Sequence, residues 1–213
     1  MNARLILSTL PIMAILAILR PSFALLVWLL LCGQPACAEA SPARPPAVAV
    51  DVNVERVDTD GNRGYQVYQV NAAGNVAAAP GAVWRILTDY ERMAEFVPGL
   101  HSTRVLARSG EQTILEQHGV AHLLFLRRQI RLLVQVREQA MTQIDISLID
   151  GDMLVYNCTW QLVPLPQTGG TRIVYSGLLA PKFYVPAMFG ASLIRADIAK
   201  MMAAVLARLD RPG

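Results

Sequence analysis

The segment that decides the fold is LTDYERMAEFVPGL, residues 87–100. It continues an apolar, helix-like run that begins at Pro80, a residue that suits the first turn of a helix because no N–H is needed there. After several charged residues comes a shorter apolar run, MAEFV (residues 93–97), which Pro98-Gly99 ends. The pattern predicts two short, consecutive helices. Their inward-facing residues are predicted to be Trp84, Leu87 and Tyr90.

Strand-like sequences lie on both sides of this segment. Before it, valines alternate with other residues from Val48 to Val54, and a second run covers residues 65–70. After it, apolar residues alternate with polar ones in runs joined by short turns, which predicts a meandering antiparallel sheet. These later runs are residues 103–108, 112–120, 130–137, 144–148, 154–162 and 172–177.

The last part of the chain, Pro186 to Leu209, has helical spacing and many apolar residues. Asp197 and Lys200 are predicted to lie on the opposite, polar side of this helix. Because the sheet is the only large apolar surface, the helix is predicted to cover it, which gives an α+β fold with a cleft between the two layers. The apolar stripe of the helix consists of Ala191, Ile194, Ile198, Met202, Val205 and Leu209.

The first 38 residues differ in kind from the rest. They contain no acidic residue, two long apolar runs separated by Arg20-Pro21, and the small-residue motif Ala36-Cys37-Ala38. This pattern is typical of a cleaved secretory signal peptide. The sequence therefore predicts a signal peptide over residues 1–38, a proline-containing linker over 39–47 and one domain over 48–210. An uncleaved inner-membrane anchor is the alternative, and Met13 is an alternative start.

The predicted export and the composition together exclude some classes of protein. Arg4 and Arg20 lie in the predicted signal peptide, so the chain after it is close to neutral, and no Lys/Arg cluster points to nucleic acid. Of the three cysteines only Cys158 follows the signal, which leaves no partner for an internal disulfide. We expect a periplasmic or secreted protein that depends on its apolar core for stability.

Several short motifs, taken in their order along the chain, resemble those of the START-like helix-grip superfamily, also called SRPBCC. The resemblance is to its polyketide cyclase/dehydrase and coenzyme-Q-binding branch. The resemblance covers residues 48–209. It implies a START/Bet v 1-like fold, in which a curved antiparallel sheet wraps around a long C-terminal helix beside a ligand cavity. The superfamily includes hydrolases, cyclases, lipid carriers and binding modules, so it does not choose among functions. The motifs are Ala79-Pro80, Leu87-Thr88-Asp89-Tyr90, Phe96-Val97-Pro98-Gly99-Leu100, Glu116-Gln117-His118-Gly119, Gly151-Asp152-Met153 and Gly169-Gly170-Thr171.

The predicted cavity wall comes from one face of the strand over residues 154–162 and from the terminal helix. Tyr156 and Trp160 have polar atoms that need a partner when buried, so they are predicted to orient the ligand. A dry core made of the same side chains is the alternative. The predicted ligand-binding residues are Leu154, Tyr156, Cys158, Trp160, Ile198, Met202, Phe189 and Arg195.

Arg195 is the one charged member of this set. Its position on the apolar stripe requires a partner or an outward bend to water. We expect its guanidinium to hold an anionic head group at the mouth of the cavity. The alternative is that the side chain bends outward to an acidic neighbour such as Asp89 or Glu95.

Aromatic residues mark the predicted entrance. Phe183, Tyr184 and Phe189 cluster before and at the start of the helix, with Phe96 expected on the opposite side. They are predicted to form an apolar gate or to contact a membrane surface transiently. A packed helix entry is the alternative.

Metal and cofactor chemistry is not predicted. On a strand, His118 and His122 would be roughly 13 Å apart at about 3.3 Å per residue, and no third ligand lies nearby in the sequence. Nucleophile-elbow and phosphate-loop motifs are absent from the sequence.

The leading hypothesis is therefore an exported carrier or binding protein for a small hydrophobic ligand, such as a lipid, an isoprenoid or a polyketide-like molecule, without catalysis. Two alternatives stay open. One is a polyketide cyclase or dehydratase with His118 as acid/base and Tyr156 or Glu116 as its partner. The other is a protein-interaction module that uses the same groove.

Overall fold

The computed structural model describes residues 49–57, 65–123 and 126–210. The predicted signal peptide and linker lie outside the described residues. Within the described ranges, no helix combines the length and apolar character that a bilayer crossing requires.

One antiparallel sheet of eight strands dominates the described part of the chain. Its spatial order is β1-β2-β8-β7-β6-β5-β4-β3, so β2 pairs with the last strand while β3 forms the far edge. Along the chain, an α-helix, α1 (Pro80–Leu87), and a 3-10 helix (Tyr90–Glu95) lie between β2 and β3. The strands are β1 (Val50–Val57), β2 (Val67–Val76), β3 (Leu100–Ser109), β4 (Gln112–Leu123), β5 (Leu126–Gln139), β6 (Gln143–Gly151), β7 (Met153–Leu165) and β8 (Gly170–Pro181).

The two short helices carry the chain from one side of the sheet to the other. The second is a 3-10 helix that begins at Tyr90, three residues before the predicted apolar run. Tyr90 is buried, and its hydroxyl donates to Glu138 Oε1 on β5 at 2.9 Å. Gly99 then turns the chain with φ 80°, and its carbonyl accepts from the Val120 N–H at 2.8 Å. These two bonds fix the corner to β4 and β5.

The terminal helix, α2 (Ala187–Leu209), packs against β1 and β2. Its buried residues include Ile198, Met202 and Val205 from the predicted stripe. The contact with β2 is close, because a Cβ at Gly74 would lie 2.4 Å from Leu206 Cδ1. A sheet covered by one long helix confirms the predicted helix-grip fold class.

Candidate functional site

A cleft lies between α2 and strands β4 and β5, and it has two adjoining parts. The larger part has a volume of about 390 Å³ and includes Gln117 and Tyr156 in its wall; we call it the polar end. The smaller part, about 160 Å³, is walled mainly by apolar side chains and is called the apolar end. The residues common to both are Ala121, His122, Ile130, Asp197 and Ile198.

The local sequence explains how the cleft forms. On α2, Ile194, Ile198 and Met201 follow the i, i+4, i+7 spacing of one helix face, and all three line the cleft. The corner over residues 97–100 forms the opposite rim of the polar end. The apolar end is closed by Met153, Leu179, Pro181, Phe183, Val185 and Leu193.

Tyr156 is the most deeply placed polar side chain of the polar end. Burial raises its pKa, and the neighbouring Cys158 raises it further, so the phenol is neutral at ordinary pH. Burial also raises the pKa of Cys158 to about 12, and its sulfur accepts from the Tyr175 hydroxyl at 3.0 Å. The Tyr156 hydroxyl is itself engaged with Tyr175 and Cys158, so the residue contributes an uncharged phenol to the wall of the cleft, and a thiolate nucleophile at Cys158 is unfavourable.

The charged groups of the cleft lie at its rim and neutralise each other. Asp197 Oδ1 and Lys200 Nζ are 3.6 Å apart, one turn along α2. The prediction that Asp197 lies on the polar side of the helix is wrong, because it lines both ends of the cleft. Steps of about 100° per residue place Asp197 only about 60° around the helix from Ile194.

Among the predicted ligand-binding residues, Tyr156 and Ile198 line the cleft. Cys158, Trp160 and Met202 lie instead in the hydrophobic core. The Trp160 ring packs on Tyr175 with centroids 4.8 Å apart, and Met202 has no exposed surface. For these three residues the structure favours the dry-core alternative.

Leu154 does not face the cleft, contrary to the prediction. Its side chain is 43% exposed, whereas Met153 is buried. The pairing of β7 with β8 shifts register between Met153 and Val155. This irregularity turns Leu154 outward and places Met153 in the wall of the apolar end.

For Arg195 the head-group prediction is wrong, whereas the alternative is right about the outward bend and wrong about the acidic partner. The residue is exposed, and its Nη2 donates to the Val54 carbonyl of β1 at 3.3 Å. Asp89 and Glu95, the alternative partners, pair with Arg92 instead. Arg195 thus lies on the side of α2 that packs on β1 rather than on the side that lines the cleft.

The predicted entrance residues separate into two groups. Phe183 lines the apolar end, and Phe96 is partly buried against the core next to the corner. Tyr184 and Phe189 are exposed, at 82% and 41%. A packed helix entry therefore does not describe Tyr184.

The candidate acid/base residues lie on the outer face of the sheet. Glu116 Oε1 accepts from Arg131 Nε at 2.9 Å, and this hydrogen bond lowers the pKa of the carboxyl group. His118 Nε2 lies 3.7 Å from the same carboxylate and is half-exposed. Neither residue lines the cleft. Among the described residues no group of three or more His, Cys, Asp or Glu side chains could hold a metal ion.

The family follows from a comparison of the sequence with protein-family models. Residues 76–206 match the family described as polyketide cyclase / dehydrase and lipid transport. The chain belongs to this family. The match confirms the resemblance drawn from the sequence motifs. A search of the curated proteins found no match.

Several solved structures have a fold similar to that of this protein. The protein TTHA0849 from Thermus thermophilus is 22% identical, with a TM-score of 0.55, and 66% of this chain and 96% of that one are covered. The Zhui aromatase/cyclase from Streptomyces is 14% identical, with a TM-score of 0.58 and coverage of 68% and 94%. A STAR-related lipid transfer protein from Xanthomonas axonopodis is 12% identical, with a TM-score of 0.53 and coverage of 75% and 99%.

Sequence reasoning missed part of the site. Ile194 was placed on the apolar stripe but not in a ligand site, and the stripe itself was the available signal. Leu193 and Val185 carried no signal, because their place in the wall depends on how β8 leads into α2, and the place of His122 depends on how α2 lies opposite β4. Gln117 belongs to a motif shared with the family, and it lines the polar end.

Proposed function

We propose that the protein binds and carries a small hydrophobic ligand, without chemical change, in the cleft between α2 and strands β4 and β5. The observation that carries this proposal is the apolar end. Its wall consists mainly of aliphatic and aromatic side chains, with Asp197 and His122 at the junction with the polar end. Such a surface stabilises an apolar ligand by about 25 cal/mol per Å² removed from water.

The two ends define how the ligand is oriented. Its apolar portion packs against Phe183, Leu193 and Ile194, and its polar atom lies in the polar end, beside Gln117 and Tyr156. Because the phenol is neutral and Asp197 is paired with Lys200, the site favours an uncharged hydrogen-bonding group. A lipid alcohol, an isoprenoid or a polyketide-like ring system has this character.

A cyclase or dehydratase that uses the predicted residues His118, Glu116 or Tyr156 has less support. Such an enzyme needs an acid/base group beside the substrate, within hydrogen-bond reach. His118 and Glu116 lie on the outer face of the sheet, and the raised pKa keeps Tyr156 protonated, so it has no site to accept a proton and is a weak acid. The fold is similar to that of an aromatase/cyclase, but at 14% identity the likeness extends to the fold alone.

Export is part of the proposal. The acid-free apolar segment and the Ala36-Cys37-Ala38 motif support a secretory signal peptide. We place the carrier in the periplasm of a bacterium, where an apolar molecule needs protection from water while it moves between membranes.

The test is to block the apolar end and measure binding of N-phenyl-1-naphthylamine, an uncharged apolar fluorophore. Ile194→Trp fills the cleft, and we expect it to weaken binding by about tenfold or more, because the bound ring loses most of its apolar contacts. Ala203→Trp adds the same side chain at an exposed position of the same helix and serves as the control.

The fluorophore affinities of the two variants are compared with native mass spectra of the same purified proteins. A co-purified small molecule that Ile194→Trp excludes and Ala203→Trp retains supports carriage. Equal fluorophore affinity in both variants would overturn the proposed site. Chemical conversion of the bound molecule would favour the enzyme alternative, and capture of a peptide segment in the cleft would favour the interaction module.

A further inference from the structure

Exposed apolar side chains cluster at the start of α2 and in the segment before it. Tyr184 and Met188 are each 82% exposed, and Phe189 is 41% exposed. Large apolar residues exposed singly are ordinary, but three within six positions are unusual for a surface in contact only with water.

This surface is continuous with the cleft. Phe189 precedes Leu193 by four positions on α2, so the two side chains lie on the same helix face. Leu193 lines the apolar end, and so does Phe183, which directly precedes Tyr184. The exposed apolar residues at the start of α2 therefore adjoin, along the chain and on the helix face, residues that line the apolar end.

Positive charge surrounds the same place. The Arg128 guanidinium lies 5.0 Å from the centre of the Phe183 ring, and Arg127 and Lys182 are exposed nearby in the chain. The neighbouring acidic groups are engaged elsewhere. Asp152 Oδ2 accepts from the Arg131 N–H at 2.8 Å, and Asp197 pairs with Lys200.

We propose that Arg128, Lys182, Tyr184, Met188 and Phe189 form a docking surface for an anionic lipid bilayer. Aromatic and thioether side chains enter the interface between head groups and acyl chains, while the cations contact lipid phosphates. The charge complementarity selects an anionic bilayer over a second copy of this chain, whose formal net charge is +3. Docking places the mouth of the apolar end against the lipid, so the ligand passes between bilayer and cleft without crossing water.

The purpose of docking depends on the proposed function, but docking itself can be tested alone. The full chain is mixed with vesicles that contain brominated phosphatidylcholine, with or without an equal part of phosphatidylglycerol. Tyr184→Trp places a fluorophore on the docking surface at a highly exposed position. Leu106→Trp, on edge strand β3 and 49% exposed, is the matched control. Because both variants retain residues 1–38, membrane attachment by that segment affects them equally.

With anionic vesicles we expect strong quenching of the fluorescence that Tyr184→Trp adds to the unsubstituted protein, and little quenching of the fluorescence that Leu106→Trp adds. Arg128→Gln and Lys182→Gln should each weaken quenching-detected binding by about fivefold.

Three outcomes count against the proposal. Equal quenching in the two tryptophan variants, or no quenching in Tyr184→Trp, would overturn the docking surface. Equal quenching of Tyr184→Trp by neutral and anionic vesicles would remove the role of the cations. Binding of N-phenyl-1-naphthylamine in the same samples reports the cleft separately, so a failure of docking is distinguished from a failure of ligand binding.

Discussion

The buried group of Tyr156, Cys158 and Tyr175 joins the core to the polar end of the cleft. Tyr175 and Cys158 are almost fully buried and hydrogen-bonded to each other, while Tyr156 reaches the cleft wall. Burial raises the pKa of all three groups. Each group therefore stabilises the fold only in its neutral form. The protein should lose stability at alkaline pH, where these groups ionise in the unfolded chain.

The replacement Cys158→Ala should make the protein less sensitive to alkaline pH. In the wild type the thiol pKa rises from 9.0 unfolded to about 12 folded. The folded state therefore binds more protons, and the contribution of the thiol is complete below the unfolded pKa. It is lost as pH rises from about 9 toward about 12. Urea unfolding followed by circular dichroism across this range measures the effect.

The two proteins are compared by how steeply the free energy of unfolding falls with pH, not by its value at one pH. Cys158→Ala should lower the free energy of unfolding below pH 9 by about 1–3 kcal/mol, through lost packing and the loss of the hydrogen bond between Tyr175 and Cys158. Its free energy should then fall less steeply than that of the wild type as pH rises. Tyr156 and Tyr175 remain and contribute the rest of the alkaline loss. Parallel curves for the two proteins would contradict the assigned burial of the thiol.

At the scale of elements, the contact between α2 and β2 sets the position of the whole helix. Gly190 lies against the Tyr68 side chain, and a Cβ there would approach the Tyr68 hydroxyl to 2.0 Å. Tyr68 is fully buried, and its hydroxyl donates to Gln66 Oε1. Gln66 Nε2 in turn donates to the Val185 carbonyl at 3.3 Å, in the segment that lines the apolar end. The start of α2 is thus held by β2 on one side of the cleft.

The replacement Gly190→Ala should destabilise the protein, although alanine ordinarily favours a helix. The added methyl group cannot fit without moving Tyr68 or the helix, which costs about 1–3 kcal/mol. Gly81→Ala in α1 is the matched control, because a Cβ there meets nothing within 4 Å. That change should stabilise by up to about 1 kcal/mol. Thermal unfolding of the two variants measures both effects, and a stabilised Gly190→Ala variant would contradict the close packing described.

The elements were predictable from the sequence because their signals are local. Alternation gives the strands, Pro80 starts α1, and Gly99 with its positive φ ends the corner. The site was less predictable, because it depends on tertiary contacts. A register shift beside Met153 reverses Leu154, and the docking of α2 on β1 decides that Arg195 leaves the cleft while Asp197 enters it. A single-residue irregularity or a small helix rotation is invisible in a pattern of apolar spacing.

At the scale of the whole molecule, the described core lies entirely after the predicted signal peptide and linker. The buried core residues run from Val54 to Leu206, and β1 begins at Val50. Cleavage after residue 38 would keep every described core residue in the mature chain, with a short proline-containing stretch of sequence before β1.

We expect the chain to be cut after Ala38 when it is expressed in a bacterium with a secretion pathway. The mature protein should begin at Glu39 and appear in the periplasmic fraction, because the small residues Ala36 and Ala38 suit signal peptidase. Intact mass and N-terminal sequencing of the fractionated protein measure this, and Ala38→Arg, which places a large charged residue at the cut, should block it. A wild-type chain that keeps residues 1–38 and stays in the membrane fraction would support the anchored alternative, with the cleft and its docking surface held permanently beside the bilayer.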